Sequence, residues 1–581
     1  MKLVLSFVAL IVTAHMASAK AQDRYLVTFK SEQGFKAMDA YFKDAYSKTE
    51  SSQSALFIQK SLKNVRSLVL KTKNKAALES LKNHPEVSNV EAETFFPAPK
   101  PINGFKIALV RPTSFVSEVN GTDLIPSSVI PVLQPGIATP WGITAVKAGE
   151  AWAGSAAGAH ARVLVLDTGI DSAHPVIAPN FEKGQNFTED NEGKVDPLSY
   201  ADVEGHGTHV SGTILGAYNA ETGFTGVAPK AKLLMGRVCS AEGCSNIALI
   251  DGINWGIEEK VDVISMSLGG PISTAAESLA VQSAERGGVV MVAASGNSGS
   301  DPTYSYDKKD PKCKSTNPFQ PSNCGISFPA AFETAVAVGA LDSSLVKTNF
   351  SQWGPELDVT APGAAVISSV PMGSGRESVV VLSFNGVEKR VKSAAFSGTE
   401  LFASPVVNEI VTVPGVGKDT DFAQVNVAGK FALVSRGEIK FAVKVQNALA
   451  AKALGVLIYN NAAGLMQGAV TEDGSLLNVP VVMIEQTEGQ ALIALLSQGG
   501  QAKASVKLAP SDYASFDGTS MAAPHVAGVV ALIKSANKNL TPAQVRQILA
   551  TTSRALAPND TNQYGAGLVQ ADKAVEAALG Q

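Results

Sequence analysis

The run Arg162-Val163-Leu164-Val165-Leu166-Asp167-Thr168-Gly169 decides the fold. Its apolar residues follow one another without alternation, and it ends on an acid and a Thr-Gly turn. A strand of that kind is covered on both faces. Similar short runs recur at 231–236, 261–266, 289–294 and 334–339, with helical spacing between several of them at 247–260 and 274–286. Unalternating strands interleaved with helices specify an α/β domain, a parallel sheet covered by helices on both faces. In such sheets the chemistry sits outside the carboxyl ends of the strands. Asp167 and the segment 293–297 fall there.

Far along the chain, Ser515-Phe516-Asp517-Gly518-Thr519-Ser520-Met521-Ala522-Ala523-Pro524-His525 places a hydroxyl between a Gly-Thr turn and an apolar run that reads as a buried helix. Pro524 is expected in the first turn of that helix, where a missing N–H costs nothing. Ser520 would then stand at a helix N-terminus, whose free N–H groups and positive dipole end stabilise an oxyanion. On position alone a lone serine is a helix cap, so the rest of the chain must decide.

The chain has 581 residues, 45% hydrophobic and 17% charged, with a formal net charge of -4. That exceeds one ordinary domain, and so small a charge gives no footing for nucleic acid or an anionic membrane. Residues 1–19 read as a secretory signal peptide: a basic start, an apolar run too short to span a bilayer, and the exit Ala17-Ser18-Ala19. The protein is therefore expected to be secreted, released or held at the surface, with no membrane span. Four cysteines allow three pairings. Cys239 with Cys244 and Cys313 with Cys324 read as two short-loop disulfides in an oxidising compartment, a four-thiolate zinc site being the alternative.

Residues 20–98 read as a small α+β unit in the order β-α-β-α-β, with strands near 24–30, 65–70 and 87–93. A proline-punctuated linker follows over 99–138, the kind of exposed segment proteases cut. The α/β domain occupies 139–375 and 509–581. Between its two parts, 376–508 reads as an inserted β-rich domain, with paired strands around Asn385-Gly386 and a helix at 441–453.

Three stretches converge on one chemistry. Asp167 ends a strand, His206 lies between glycines in Gly205-His206-Gly207-Thr208-His209, and Ser520 heads its helix. A serine hydroxyl becomes nucleophilic when a neutral imidazole takes its proton. The imidazole in turn needs a carboxylate on its other nitrogen. Together with Ser265-Met266-Ser267-Leu268-Gly269-Gly270 and Ala293-Ala294-Ser295-Gly296-Asn297, these boxes make the chain resemble the secreted subtilisin-like serine endopeptidases over about 136–375 and 509–581. Residues 22–98 resemble the inhibitory propeptide of that family, and 376–508 resemble a protease-associated domain.

The resemblance implies roles. Ser520 corresponds to the nucleophile, His206 to the general base, Asp167 to the orienting acid and Asn297 to the oxyanion donor. His209, the rival histidine, is expected to pack in its helix. Ser267-Leu268-Gly269 and Ala294-Ser295-Gly296 correspond to the two edges of the first specificity pocket, where substrate adds as a β-strand. No acid there selects a basic side chain. Asp202 is read as a rim residue near the second subsite.

No cofactor is required for such catalysis. Structural calcium is possible, but Val176 holds the place of a usual ligand acid, and the cluster Glu189-Asp190-Asn191-Glu192 reads as a solvated loop. Expected partners are protein or peptide substrates and the chain's own propeptide, acting on a monomer with no nucleic acid. The competing reading is a secreted binding protein that keeps the fold while the insert does the work.

Overall fold

The computed structural model describes residues 24–47, 57–99, 139–190, 194–220, 222–307, 309–313, 324–384, 386–462, 465, 468–471 and 475–580. The leader read over 1–19 and nearly all of the linker lie outside these. The chain forms two compact units. One comprises residues up to Phe95 with Ser245–Ile247 and Thr274–Ala276, and the other comprises the rest.

In the first unit a four-stranded antiparallel sheet runs in the order Phe57–Leu62, Ser67–Lys71, Arg24–Phe29, Val87–Ala92. Helices Glu32–Ser47 and Lys75–Lys82 accompany it, the second capped by the Asn74 side chain accepting from the Ala77 N–H. Val27, Phe29, Phe35, Leu68, Leu70 and Leu81 form its core. The strand Phe57–Leu62 was not expected. Its sequence, Phe-Ile-Gln-Lys-Ser-Leu, has apolar residues only at its ends, and pairing with its neighbour supplies what local patterning lacks.

The second unit is built on a seven-stranded sheet. Its order is Val359–Pro362, Ala335–Leu341, Val290–Ala294, Val263–Met266, Arg162–Asp167, Lys232–Arg237, Phe181–Asn186, and every neighbouring pair is parallel. Asp167 therefore sits at a carboxyl end of the sheet, level with Arg237. Helix Thr519–Ala536 passes through the core with all residues from Thr519 to Ser535 buried. Its Ala and Gly content permits this, since a Cβ at Gly528 would fall 2.5 Å from the Cβ of Val227.

The helix begins two residues earlier than the apolar run indicates. Pro524 thus lies inside it, not in the first turn. A proline there cannot donate to the carbonyl four residues back, which is that of Ser520. The Ser267 hydroxyl donates to that carbonyl instead, at 2.8 Å.

Between these parts, strands over 375–511 form an eight-stranded sheet whose first and last long strands pair antiparallel, from Gly375 opposite Ser511 to Phe384 opposite Ala502. Apolar clusters cover both faces, one around Leu433, Leu457 and Val506, the other around Phe396, Val445 and Ile458. Because entry and exit strands lie side by side, they continue into a two-stranded ribbon, Val366–Ser369 with Tyr513–Phe516. The ribbon rests on helix His206–Leu215. Ser368 Oγ donates to the His209 carbonyl at 2.8 Å and Ser369 Oγ to that of Thr208 at 3.1 Å. Gly212 makes this approach possible, since a Cβ there would fall 2.2 Å from Ser369 Oγ. Gly212→Ala is expected to lower stability by about 1–3 kcal/mol through overpacking. A thermal midpoint unchanged from wild type would show that the ribbon yields freely.

Candidate active site

The Asp167 side chain comes from a strand end, that of His206 from the first residue of a helix and that of Ser520 from the first turn of another helix. The Asp167 carboxylate and the His206 imidazole are both almost fully buried, and His206 Nδ1 donates to Asp167 Oδ1 at 2.8 Å. The same oxygen accepts the Thr168 N–H at 2.8 Å, while Oδ2 has no partner among the described residues. Donation from Nδ1 sets the tautomer. His206 Nε2 is left as the basic nitrogen, and it too is without a partner among the described residues.

The expected hydrogen bond from Ser520 to His206 is not formed. Ser520 Oγ donates to the Ser267 carbonyl at 3.0 Å. With the bond that Ser267 Oγ makes to the Ser520 carbonyl, the two serines are doubly linked. The cause lies in Pro524: it leaves the Ser520 carbonyl open, Ser267 fills the gap, and the Ser267 backbone then comes within reach of the hydroxyl.

Asn297 Oδ1 accepts from both the N–H and the hydroxyl of Thr519, each at 2.9 Å. Its oxygen is thus committed, and Nδ2 is the group able to donate into the cleft. Ser520, Asn297, Ser267, Leu268, Gly269, Ala294 and Gly296 line one cavity of about 310 Å³ together with Pro97, Ala98 and Pro99. No charged side chain lines it among the described residues. Ser295 is not part of the lining. Its hydroxyl donates to the Gln352 carbonyl and it is fully buried.

One further expectation needs correction. Asp202 is not a rim residue: it is 7% exposed and accepts five hydrogen bonds around the start of the His206 helix. Its single-letter pattern looks like any polar loop, so sequence could not reveal it. Thr519, which orients Asn297, was also unremarked, although its place beside Ser520 was a signal. His209 does pack: Nε2 donates to the Val366 and Ala514 carbonyls at 3.0 and 3.2 Å, and the ring stacks on Phe516 at 4.3 Å. Both local disulfides, Cys239–Cys244 and Cys313–Cys324, are present.

The place of the calcium-ligand acid holds Val176, fully buried in the apolar core. Among the described residues no group of three His, Cys, Asp or Glu side chains could hold a metal ion. The residues do not fit calcium at that place.

A parallel α/β sheet with a buried Asp-His pair at its carboxyl end, and a serine at a helix start that lines an uncharged cleft, has the residue types of a serine hydrolase of the α/β type. The chain belongs to the subtilase family, whose model matches residues 158–412 and 447–567, and it is a serine endopeptidase. It is 39% identical over 234 residues to the major intracellular serine protease of Bacillus subtilis strain 168, covering 40% of this chain and 67% of that one. It is 37% identical over 236 residues to subtilisin E of the same organism, covering 40% of this chain and 55% of that one. A crystal structure of the psychrophilic subtilisin-like protease Apa1 from the Antarctic psychrotroph Pseudoalteromonas sp. AS-11 aligns with a TM-score of 0.56 at 27% identity. It covers 76% of this chain and 99% of that one.

Burial pulls the imidazole of His209 down to about 3 and that of His525 down to about 4, from an ordinary 6.5. Between those values and 6.5 the unfolded chain holds protons that the folded chain does not, so stability declines as pH falls. The urea midpoint is expected to drop between pH 7 and pH 4.5, and His525→Gln to flatten that drop. A midpoint independent of pH would contradict the buried neutral state.

Proposed function

We propose that the protein is an exported endopeptidase, made as a zymogen, in which Ser520, His206 and Asp167 act as nucleophile, general base and orienting acid. The observation that carries this is the 2.8 Å bond between His206 Nδ1 and Asp167 Oδ1, which leaves a buried basic Nε2 without a partner among the described residues. A substrate strand adding along Ser267-Leu268-Gly269 competes for the Ser267 carbonyl. This frees the Ser520 hydroxyl to turn to His206.

The hydroxyl proton then passes to Nε2 as Oγ bonds the scissile carbon, and the carbonyl electron pair moves onto oxygen. Asn297 Nδ2 and the Ser520 N–H at the helix start stabilise that oxyanion. His206 returns the proton to the leaving amine as the C–N bond breaks, and a water molecule repeats the cycle on the acyl-enzyme. The uncharged lining supports a preference for uncharged side chains in the first pocket, between Ser267-Leu268-Gly269 and Ala294-Gly296, with Ser295 acting from behind.

The zymogen reading has its own support. Residues 97–99, which follow the small α+β unit in sequence, line the same cleft as Ser520. Phe96 packs on Gly270, where a Cβ would fall 2.5 Å from its ring. A chain that fills its own cleft is poised to inhibit and to be cut nearby. We read 20–98 as the inhibitory propeptide, 99–138 as the linker holding the maturation site, 139–375 with 509–581 as the catalytic domain, and 376–508 as a protease-associated insert steering access. Export rests on the reading of residues 1–19 and on the two disulfides. No helix among the described residues is long and apolar enough to cross a membrane. The enzyme would act as a monomer on proteins or peptides.

A fluorophosphonate is expected to label the mature protein at Ser520 and nowhere else. Ser520→Ala is expected to abolish turnover, by ~10⁶ in kcat, and to leave the chain uncut between residues 98 and 140 by mass spectrometry. Cleavage of Ser520→Ala at the wild-type position would end the autoprocessing reading, and an unlabelled wild type would favour a binding protein. Asn297→Ala should lower kcat about 10²–10³-fold, a size taken from the oxyanion asparagine of subtilisin itself.

A further inference from the structure

Around Asp202 the hydrogen bonds form a closed set. Oδ1 accepts from Thr168 Oγ1 at 2.9 Å, Gly205 N at 2.7 Å and Glu204 N at 3.1 Å. Oδ2 accepts from Thr208 N at 2.8 Å and Thr208 Oγ1 at 2.6 Å. Both hydroxyls are committed as donors, because each already accepts a backbone N–H: Thr168 Oγ1 that of Gly207 at 2.9 Å, Thr208 Oγ1 that of Asp171 at 3.0 Å. Five donors and no acceptor converge on Asp202. Burial pushes its carboxyl up, but a proton on it would have nothing to bond, so the group is held as an anion.

Every donor belongs to a residue within two positions of Asp167 or His206, Glu204 standing two before His206 and Thr208 two after it. Thr168 follows Asp167, and Gly205 precedes His206. Gly207, held through Thr168, follows His206, and Thr208 comes next in the helix. The anion also lies at the N-terminal end of that helix, where it opposes the free N–H groups. Arg237, on the adjacent strand, attracts it through charge but spends its hydrogen bonds on the Ser199 and Cys239 carbonyls. Asp202 is not among the residues that line the cleft.

We propose that Asp202 is a positioning residue for catalysis, a buried anion that clamps the turn after Asp167 to the helix start carrying His206 and adds negative charge near the Asp167-His206 pair. The proposal rests on the reading of His206 as general base. The strand-end acid and the helix-borne base come from different elements 39 residues apart in sequence, and a sub-ångström drift between them is felt in rate. The charges facing this locus are Asp167 on its strand, Asp171 in the following loop, Glu204 in Asp202's own loop, Arg237 on the neighbouring strand, and the His206 and His209 rings on the helix.

The test uses the full chain matured to active enzyme, with rates normalised to sites titrated by a fluorophosphonate. Asp202→Asn keeps the volume but sets an amide N–H₂ against the two Thr208 donors. Its kcat is expected to fall ~10²-fold, with KM held within about threefold because no substrate contact is lost. The acid limb of the kcat/KM profile should move to lower pH by roughly half a unit, since removing an anion disfavours the imidazolium. A purely structural role would not move that limb. Thr168→Val, which removes one arm of the clamp at constant shape, should lower kcat about tenfold, again at near-constant KM. It decides the matter if Asp202→Asn does not fold. Wild-type kcat in both variants, or a loss confined to KM, would overturn the proposal. If wild type itself takes no label at Ser520, the catalytic reading has failed and not the clamp.

Discussion

A single buried contact, imidazole to carboxylate between His206 and Asp167, sets the terms for the second unit. Burying two ionisable groups is unfavourable unless their geometry and their remaining hydrogen bonds are well met. The sheet fixes Asp167 by its register with the neighbouring strands. The helix fixes His206 at its first residue. The contact depends on what joins the two elements: Thr168 just after the strand, Thr208 in the first turn of the helix, and the Asp202 carboxylate that accepts from both.

The serine side follows another logic. Ser520 stands on a helix whose sixth residue is proline. The break in the hydrogen-bond ladder could have been an uncompensated loss. It becomes a tie between the helix and the Ser267 edge, made in both directions. The same edge is where a substrate strand would add. On the roles proposed above, a substrate strand and the Ser520 hydroxyl would compete for one carbonyl, which would couple occupation of the cleft to readiness for chemistry.

The insert is not a loosely tethered module. Its first and last long strands pair over their whole length and run into a ribbon that grips the helix carrying His206 and His209. His209 donates to both ribbon strands at once, so it joins the insert's base to the helix that carries His206. The burial that keeps this ring neutral is the reason it serves in packing and not in proton transfer.

Much of this was legible in the chain alone. Unalternating apolar runs separated by helices specify a parallel sheet because strands buried on both faces need apolar residues at every position. Asp167, His206 and Ser520 were visible because strand ends and helix starts are local features. Local cysteine pairing was also within reach of short spacing. Other matters were decided only when distant segments met: where the Ser520 hydroxyl points, that Ser295 turns away from the cleft, and that Asp202 lies inside rather than on the rim. Each depends on which donor or acceptor a polar atom finds after packing, and that partner comes from another part of the chain, 253 residues away for Ser520 and 57 for Ser295. Periodicity reports which face of an element is buried; it carries no information about the partner that burial supplies.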